Sequence, residues 1–290
     1  MSSNKNILFF LMSIAMITWG MAWSSAKIVN MFLPYNELVF LRFFVGCITM
    51  LPFLVRRPIS FYSIYRTDWW NMIIVSVLFF IYNQCFFMGT DVGQAGRGGV
   101  FVTTMNPIVT FIISSWISKK VENSHIIAIF IGIIGGLFIL DVFNGGIVKL
   151  FFSGNIYFIS CAVIWGIMTI LMSLGQKNID SIWYITICYF ITSIISIPFI
   201  QIGTILSPSL LQWQFLVHFF IVCNAMSLGT SIYIYAAPRL GAVQVSTFIF
   251  SVPFIAMTTA YFVINEPIGI NVIIGGILSI ISISVVNYKK

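Results

Sequence analysis

Few polar side chains interrupt the long apolar runs of this sequence, and those few are the candidates for chemistry. Asn224 and Ser227 recur at helical spacing in one run, and Gln244 and Ser251 do so in the next. Amides and hydroxyls on one helix face form hydrogen bonds with a small polar solute or with a neighbouring helix. The spacing alone leaves both interpretations open.

Two arginines lie within apolar runs, where an ionisable group marks a functional site by default. Arg97 is near one end of its run, so its side chain either extends to water or binds an anion. Arg42 lies deeper, and we expect it to pair with Asp91 or Glu37. Arg97 is therefore a candidate binding residue, and Arg42 is expected to take part in an ion pair.

Pro107 and Pro253 each interrupt an apolar run near its middle. A proline inside a helix leaves the carbonyl four residues earlier without its donor, and a membrane tolerates this only beside protein or a wet cavity. A kink that serves packing alone is the other interpretation. Because the feature occurs in both halves of the chain, we expect both prolines to line a cavity.

Two tryptophans, Trp19 and Trp165, complete the candidate site, either as an aromatic lining or as membrane-interface residues. The predicted solute-binding residues share a polar group, an aromatic ring or a helix-breaking proline within a predicted span. They are Trp19, Asn83, Arg97, Thr104, Asn106, Pro107, Trp165, Asn224, Ser227, Gln244, Ser251 and Pro253.

No pattern typical of an enzyme occurs in the sequence. It contains no HExxH, no CxxC, no phosphate-binding glycine loop and no paired carboxylates within an apolar run. The five cysteines lie in apolar runs without ligand spacing, so we expect core residues rather than disulfides or metal ligands. We therefore predict no catalytic residue, no metal and no cofactor.

The composition indicates which elements must position these residues. Of 290 residues, 60% are hydrophobic and 7% are charged, whereas a soluble domain carries roughly a quarter charged residues. The net charge of +7 is scattered along the chain rather than clustered, which argues against a nucleic-acid partner. The partners expected are the lipid bilayer and a small-molecule solute, and a monomer is compatible with the sequence.

Apolar runs long enough to cross a bilayer can be counted, because a helix needs roughly 20 residues to span about 30 Å. The sequence predicts ten helices, near residues 7–26, 37–55, 70–89, 95–117, 125–140, 154–174, 181–203, 213–236, 242–264 and 268–287. The predicted fold class is therefore an all-α membrane protein with ten transmembrane helices and short connectors.

Positive charges predict the orientation, because Lys and Arg are retained on the cytoplasmic side. With the amino terminus inside, outer segments hold only Lys27 and Lys149. Cytoplasmic segments hold ten cations: Lys5, Arg56, Arg57, Arg66, Lys119, Lys120, Lys177, Arg239, Lys289 and Lys290. Both termini are expected in the cytoplasm. Glu122 and Glu266 lie beside helix starts, where we expect capping or a structural role at a repeat boundary rather than catalysis.

Rare residue types recur at a fixed offset, which indicates an internal repeat. Trp19-Gly20 recurs as Trp165-Gly166, an offset of 146, and the same offset relates Phe44 to Phe190 and Pro107 to Pro253. Two five-helix halves, 1–148 and 149–290, are predicted. Since five is odd, the second half enters the membrane from the opposite side, an inverted-topology repeat typical of secondary transporters.

These residues also resemble a known family, the EamA-type members of the ten-helix drug/metabolite transporter superfamily. The resemblance covers nearly the whole chain. It rests on Trp19-Gly20, Lys27, Arg42, Ala95-Gly96-Arg97, Pro107, Glu122, Trp165-Gly166, Leu240-Gly241-Ala242, Pro253 and Asn265-Glu266-Pro267. It implies a carrier in a bacterial inner membrane, most often an exporter of amino acids, metabolites or toxic compounds, built from two EamA-like repeats.

The function expected is secondary transport of a small organic solute by alternating access, with efflux as the direction that the resemblance implies. A channel and an intramembrane enzyme are the alternatives. None of the seven acidic residues is central in a predicted span, whereas proton-coupled carriers commonly use a carboxylate there. We therefore expect transport to be driven by the solute gradient.

Overall fold

The computed structural model describes residues 2–55, 57, 64–118, 123–151, 154–176, 178–240, 248–249 and 251–287. These residues are largely helical and include no strand. Several residues used in the sequence predictions lie outside the described part: Arg56, Lys119, Lys120, Glu122, Lys177, Gln244, Lys289 and Lys290.

Five helices form the first half of the chain. They are α1 (Ser2–Val29), α2 (Tyr35–Leu54), α3 (Arg66–Val92), α4 (Ala95–Ser118) and α5 (Asn123–Ile139). Pro107 lies inside α4. A short helix at Val142–Gly145 and a 3-10 turn at Ile147–Phe151 lead to the second half.

The second half repeats this order. It contains α6 (Asn155–Gly175), α7 (Ser181–Ser196), α8, α9 (Val252–Ile264) and α10 (Ile270–Asn287). Helix α8 is continuous through Trp213–Asn224, a π-helical turn at Ala225–Gly229, and Thr230–Leu240. Between α7 and α8 the chain makes short turns at Ile197–Phe199, Ile202–Ile205 and Pro208–Leu211.

Within the described residues, six stretches are long and apolar enough to cross a membrane. They are Asn6–Val29, Tyr35–Leu54, Arg66–Val92, Asn155–Gly175, Ser181–Phe199 and Trp213–Tyr233. Shorter apolar stretches of 10–17 residues occur at Ile129–Ile139, Ile202–Leu211, Val252–Ile264 and Ile270–Ser282. Many large apolar side chains, such as Phe10, Trp116 and Phe262, face outward, as expected where the surroundings are lipid.

Helix packing pairs the two halves. Helix α1 packs on α9 and α8, and α6 packs on α4 and α3. Three further contacts join α2 to α7, α4 to α9, and α5 to α10. The last contact is close because Gly135 faces Gly275, where an added Cβ would lie 2.4 Å from the Gly135 carbonyl oxygen.

Candidate solute-binding site

Three side chains from three different helices donate hydrogen bonds to carbonyls at the π-helical turn of α8. Trp19 Nε1 of α1 donates to the Ala225 oxygen at 2.7 Å, and Tyr189 of α7 donates its hydroxyl to the Met226 oxygen at 2.8 Å. Arg42 Nε of α2 donates to the Val222 oxygen at 3.2 Å. A π turn breaks the regular hydrogen-bond ladder of the helix, and these donors satisfy carbonyls at the interruption.

Arg42 is buried at this centre with neutral partners. Its Nη1 donates to Asn83 Oδ1 at 2.6 Å, and its guanidinium carbon lies 5.0 Å from the Phe86 ring centre and 5.7 Å from that of Phe87. Cation–π contacts of this kind stabilise a desolvated guanidinium. Asn83 in turn donates to the Phe79 carbonyl in its own helix. Arg42 therefore joins α2, α3 and α8.

The two matched tryptophans meet beside this cluster. Trp19 and Trp165 contact edge to face at 6.3 Å between ring centres. Trp165 also packs on Tyr82 at 5.0 Å and on Phe79 at 6.4 Å, and Trp19 packs on Tyr233 at 5.4 Å. Unlike Trp19, Trp165 makes no hydrogen bond through its indole N–H with any residue that the structure describes.

The structure brings several of the predicted site residues to this centre. Trp19, Trp165 and Asn83 take part in the contacts above, and Ser227 is buried within the π turn, where it donates to the Cys223 carbonyl. Asn224 is half-buried just before the turn and donates to the Phe220 carbonyl of its own helix.

Other predicted site residues lie along α4. Thr104 is buried and donates to the Val100 carbonyl within the helix, and Asn106 accepts from Thr110 at 3.2 Å. Pro107 is half-buried in the same helix. The hydrogen bonds of Thr104 and Asn106 are local, so these residues are bonded within α4 rather than to the Arg42 cluster.

Ser251 and Pro253 lie where α9 begins. Ser251 is exposed and lines a cleft of about 380 Å³ together with Ser13, Ile17, Phe248 and Ile255. Pro253 is buried in the first turn of α9, where its missing N–H needs no partner. The cleft therefore lies between α1 and the beginning of α9.

A second polar cluster lies at the opposite end of α1. Lys27 Nζ lies 3.1 Å from Glu266 Oε1, and it also donates to the Gly93 carbonyl at 2.7 Å. Glu266 accepts from the backbone N–H groups of Ala95 and Gly96, both at 2.9 Å. This cluster, the Lys27–Glu266 clasp, joins α1, the start of α4 and the α9–α10 connector.

Arg97 is half-buried one turn into α4, close to the clasp. Its Nε atom is buried and has no hydrogen-bond partner among the described residues. At the neighbouring end of α5, the Lys149 ammonium beside Asp141 lowers the pKa of that carboxyl, and hydrogen bonds from Asn271 and Asn144 act in the same direction.

One sequence prediction about a charged residue was wrong. Arg42 does not pair with Asp91 or Glu37: Asp91 is exposed, and Glu37 accepts from the Gln201 N–H and the Thr204 hydroxyl. A neutral amide, Asn83, is the partner instead. Glu266 does cap a helix, but the helix is α4 in the other half of the chain rather than the one that follows Glu266.

Sequence reasoning missed Tyr189 and placed Arg42 outside the candidate site. The offset of 146 residues relates Tyr189 to Phe43 and Arg42 to Cys188. These are positions where a polar group in one half replaces a less polar one in the other, and that comparison was the available signal. No group of three or more His, Cys, Asp or Glu suited to a metal occurs among the described residues.

Comparison with known proteins identifies the family. The model of the EamA-like transporter family matches the chain twice, over residues 6–141 and 152–288. Two relatives from Bacillus subtilis (strain 168) are both named as uncharacterized transporters. YvbV is 22% identical over 97% of this chain and 91% of its own length. YoaV is 24% identical over 94% of this chain and 93% of its own.

A solved crystal structure of another protein shares the fold. It superposes with a TM-score of 0.63 at 13% sequence identity, covering 96% of both chains. Together with the apolar helices, the family match makes this a multi-pass membrane protein that transports small solutes. The chain belongs to the EamA-like transporter family.

Proposed function

We propose that this protein is a secondary transporter that moves a small organic solute out of the cytoplasm across a bacterial inner membrane by alternating access. Ten helices cross the membrane, both termini are cytoplasmic, and the halves 1–148 and 149–290 are inverted repeats. The transporter family and the bacterial relatives support this proposal. Efflux is proposed from the family resemblance.

The helix order and packing support the inverted repeat. The offset of 146 residues relates α1 to α6, α2 to α7, α3 to α8, α4 to α9 and α5 to α10. Under this exchange, the contact of α1 with α9 becomes that of α6 with α4, and both occur. The contacts of α2 with α7, α4 with α9, and α5 with α10 map onto themselves, as a two-fold axis requires.

One observation carries the alternating-access mechanism: the two ends of α1 differ. At one end, the Lys27–Glu266 clasp ties the first half to the second. Toward the other end, α1 packs on the start of α9, where the Phe9 and Phe248 rings stack at 5.7 Å, and the cleft at Ser13 and Ser251 lies beside this contact. With the amino terminus inside, the clasp lies on the outer side and the cleft on the cytoplasmic side, so the proposed outer closure is the clasp. Opening the outer side then requires the clasp to break.

The positions of the acidic residues support transport driven by the solute gradient. Glu37, Asp68, Asp91, Asp141, Asp180 and Glu266 all lie at helix ends or in connectors among the described residues. Among the described residues, no carboxylate contacts Arg42 and could carry a proton between the two sides. Solute flux should therefore be insensitive to an imposed pH gradient at zero membrane potential.

The mechanism can be tested with two cysteine reporters, in a background where the partly exposed Cys47 and Cys85 are replaced by serine and the native cysteines that remain are buried. Ser251→Cys reports on the cytoplasmic cleft, and Ala95→Cys reports on the buried side of the clasp. In the Glu266→Gln variant, labelling of Ala95→Cys from outside should rise and labelling of Ser251→Cys from inside should fall. Asp141→Asn, which breaks a different outer ion pair, should change neither.

Reciprocal changes are the signature of alternating access. A channel would leave both reporters accessible at once, and Glu266→Gln would then raise one without lowering the other. Transport itself is measured by comparing solutes inside and outside cells that overproduce the protein. If no solute shifts from the cells to the medium, the proposed efflux function is wrong.

A further inference from the structure

Resting on the proposed transport function, we propose that the transported solute is an organic anion whose negative group pairs with Arg42. The juxtaposition that supports this is a buried guanidinium that has no counter-charge in the described part of the chain, placed beside the tryptophan pair where the two halves meet.

Arg42 lies well inside the membrane. It is eighth in α2, which begins at Tyr35, so it is about 10 Å along the helix axis from the start at 1.5 Å per residue. Only 6% of the residue is exposed. A bilayer core is about 30 Å thick. At this depth the guanidinium is out of reach of short polar side chains at the end of the helix.

The guanidinium has more donors than acceptors. Of the five N–H groups that an arginine carries, one is donated to the Val222 carbonyl and one to Asn83. The remaining three have no acceptor among the described residues. Both acceptors are neutral, and the two flanking rings, Phe86 and Phe87, provide no formal charge either.

No resident carboxylate can neutralise Arg42 from the described part of the chain. The nearest acid along α2, Glu37, is bonded to Gln201 and Thr204. Glu266 is occupied by Lys27, Asp141 by Lys149, and Asp180 by Arg57. Asp68 contacts Asn178, and Asp91 is exposed.

A buried charge without a partner is strongly unfavourable, so a carboxylate or phosphate that arrives with the solute gains a bidentate, charge-assisted contact with Arg42. The surroundings fit a solute rather than a fixed ion. Phe86, which lies over the guanidinium, stacks on Tyr82, and Tyr82 contacts Trp165. The rest of the solute would therefore lie against the aromatic rings between the halves.

A purely structural role for Arg42, joining α2, α3 and α8, is the competing explanation, and Asn83→Asp separates the two. This substitution places a permanent carboxylate where an amide oxygen now lies 2.6 Å from the guanidinium. If Arg42 only holds helices together, the new ion pair leaves export intact. If Arg42 binds the solute, the fixed carboxylate replaces the anion, so stability is kept or raised while export is lost.

The experiment compares metabolites inside and outside cells that overproduce the wild type, Asn83→Asp, Arg42→Gln or the surface control Asn6→Asp. Wild type and the control should export the same solutes, all bearing a negative group at pH 7. Asn83→Asp and Arg42→Gln should lower their export rate roughly 30-fold or more, the loss typical of a buried charge contact. The unfolding temperature of purified Asn83→Asp should equal or exceed that of the wild type.

Three results would overturn the inference. These are export of only neutral or cationic solutes, wild-type export by Asn83→Asp, and a lower unfolding temperature of that variant. Arg42→Gln is not needed if it fails to fold, because Asn83→Asp decides the question alone. If the wild type exports no solute, the proposed function fails, and this inference falls with it. If the wild type exports a solute but Asn83→Asp exports it equally well, the proposed transport function stands and only the proposal of an anionic group bound to Arg42 is refuted.

Discussion

Residues 79–83 of α3 and the π-helical turn Ala225–Gly229 of α8 lie 146 positions apart, the offset that also separates Trp19 from Trp165. The α3 segment is a regular helix, and its neighbours contact it mainly through aromatic rings, with one long thiol hydrogen bond from Cys161 to the Tyr82 carbonyl at 3.6 Å. The α8 segment is interrupted, and its neighbours donate hydrogen bonds to its backbone. Equivalent positions therefore serve different purposes in the two halves.

Three pairs of residues related by the offset of 146 show this difference between α8 and α3. Trp19 donates to the Ala225 carbonyl, whereas Trp165 only packs its ring on Phe79 and Tyr82. Tyr189 donates to the Met226 carbonyl, whereas its counterpart Phe43 packs its ring on Phe79.

The third pair carries the charge. Arg42 donates to the Val222 carbonyl, and its counterpart Cys188 contacts α3 through neutral bonds, accepting from Ser76 at its carbonyl. A carrier with two identical halves would offer the same groups twice. Here the backbone of α8 accepts hydrogen bonds from neighbouring helices, whereas the Trp165 N–H has no partner among the described residues. We infer that α8 is the fixed wall of the site and that α3 with Trp165 contacts the solute.

The largest effect is expected at Gly229, where α8 packs closely on Trp19. An added Cβ would lie 2.8 Å from Trp19 Nε1 and 3.1 Å from the Thr18 hydroxyl oxygen. Gly229→Ala should therefore displace the indole and lower the free energy of unfolding by about 1–3 kcal/mol. Gly203→Ala is the control, because no atom lies within 4 Å of its added Cβ. Equal unfolding temperatures for the two variants would contradict the claim that the contact between the π turn and Trp19 stabilises the protein.

A smaller loss of stability should distinguish the two tryptophans. Trp19→Phe removes the donor to Ala225 and should destabilise the protein by about 1–2 kcal/mol. Trp165→Phe removes an N–H that has no acceptor among the described residues, so its effect on unfolding should be clearly smaller. Thermal unfolding of both variants in the same detergent measures the difference. If Trp165→Phe is equally destabilising, the asymmetry between the halves is wrong.

Most of the helices could be predicted from the sequence because apolar runs of membrane length identify them directly. The run predicted at 213–236 corresponds to α8, and the offset of 146 relates Trp19 to Trp165, whose rings meet in the structure. The π turn could not be predicted. Its residues, Ala225–Gly229, have no unusual helix signal, and the interruption depends on donors 36 or more positions away, on α1 and α7.

The partner of Arg42 could not be predicted from the sequence either. A buried cation favours a carboxylate by charge, and Asp91 and Glu37 were the nearest acids along the chain. Packing places Asn83 there instead, because it shares a helix face with Phe79 and Phe86 in the contact with α2. The clasp was missed for a similar reason, since Lys27 and Glu266 are 239 residues apart.

An intermediate effect is expected from the Tyr189 hydroxyl. Tyr189→Phe keeps the ring contacts with Phe43 and Phe79 but removes the hydrogen bond to Met226. The expected loss is about 0.5–1 kcal/mol, typical of one hydrogen bond within a membrane protein. Thermal unfolding measures it, with Tyr261→Phe as the control because Tyr261 is exposed. A loss no greater than that of the control would mean that the turn does not depend on this donor.

The smallest effect should come from outside the centre, at Asp141. Lys149 lowers the pKa of this carboxyl, so its stabilising contribution is present above the unfolded pKa near 3.8 and is lost as pH falls through the lower folded pKa. Asp141→Asn should cost about 0.5 kcal/mol or less at pH 7, because the pair is partly exposed. The difference from the wild type should stay constant between pH 7 and 5 and shrink only in stronger acid; a difference that shrinks already above pH 5 would contradict this assignment.

The inference that α8 is a fixed wall of the site, whereas α3 with Trp165 contacts the solute, is tested most directly by the KM of export. We call this difference the division between the walls. In membrane vesicles supplied with the solute that the export profile identifies, Trp165→Phe should raise KM roughly 2–10-fold, the value of one hydrogen bond, with the maximal rate nearly unchanged. Trp19→Phe, assayed at a temperature where it is folded, should leave KM unchanged. An unchanged KM in Trp165→Phe, or a raised KM in Trp19→Phe alone, would contradict the division.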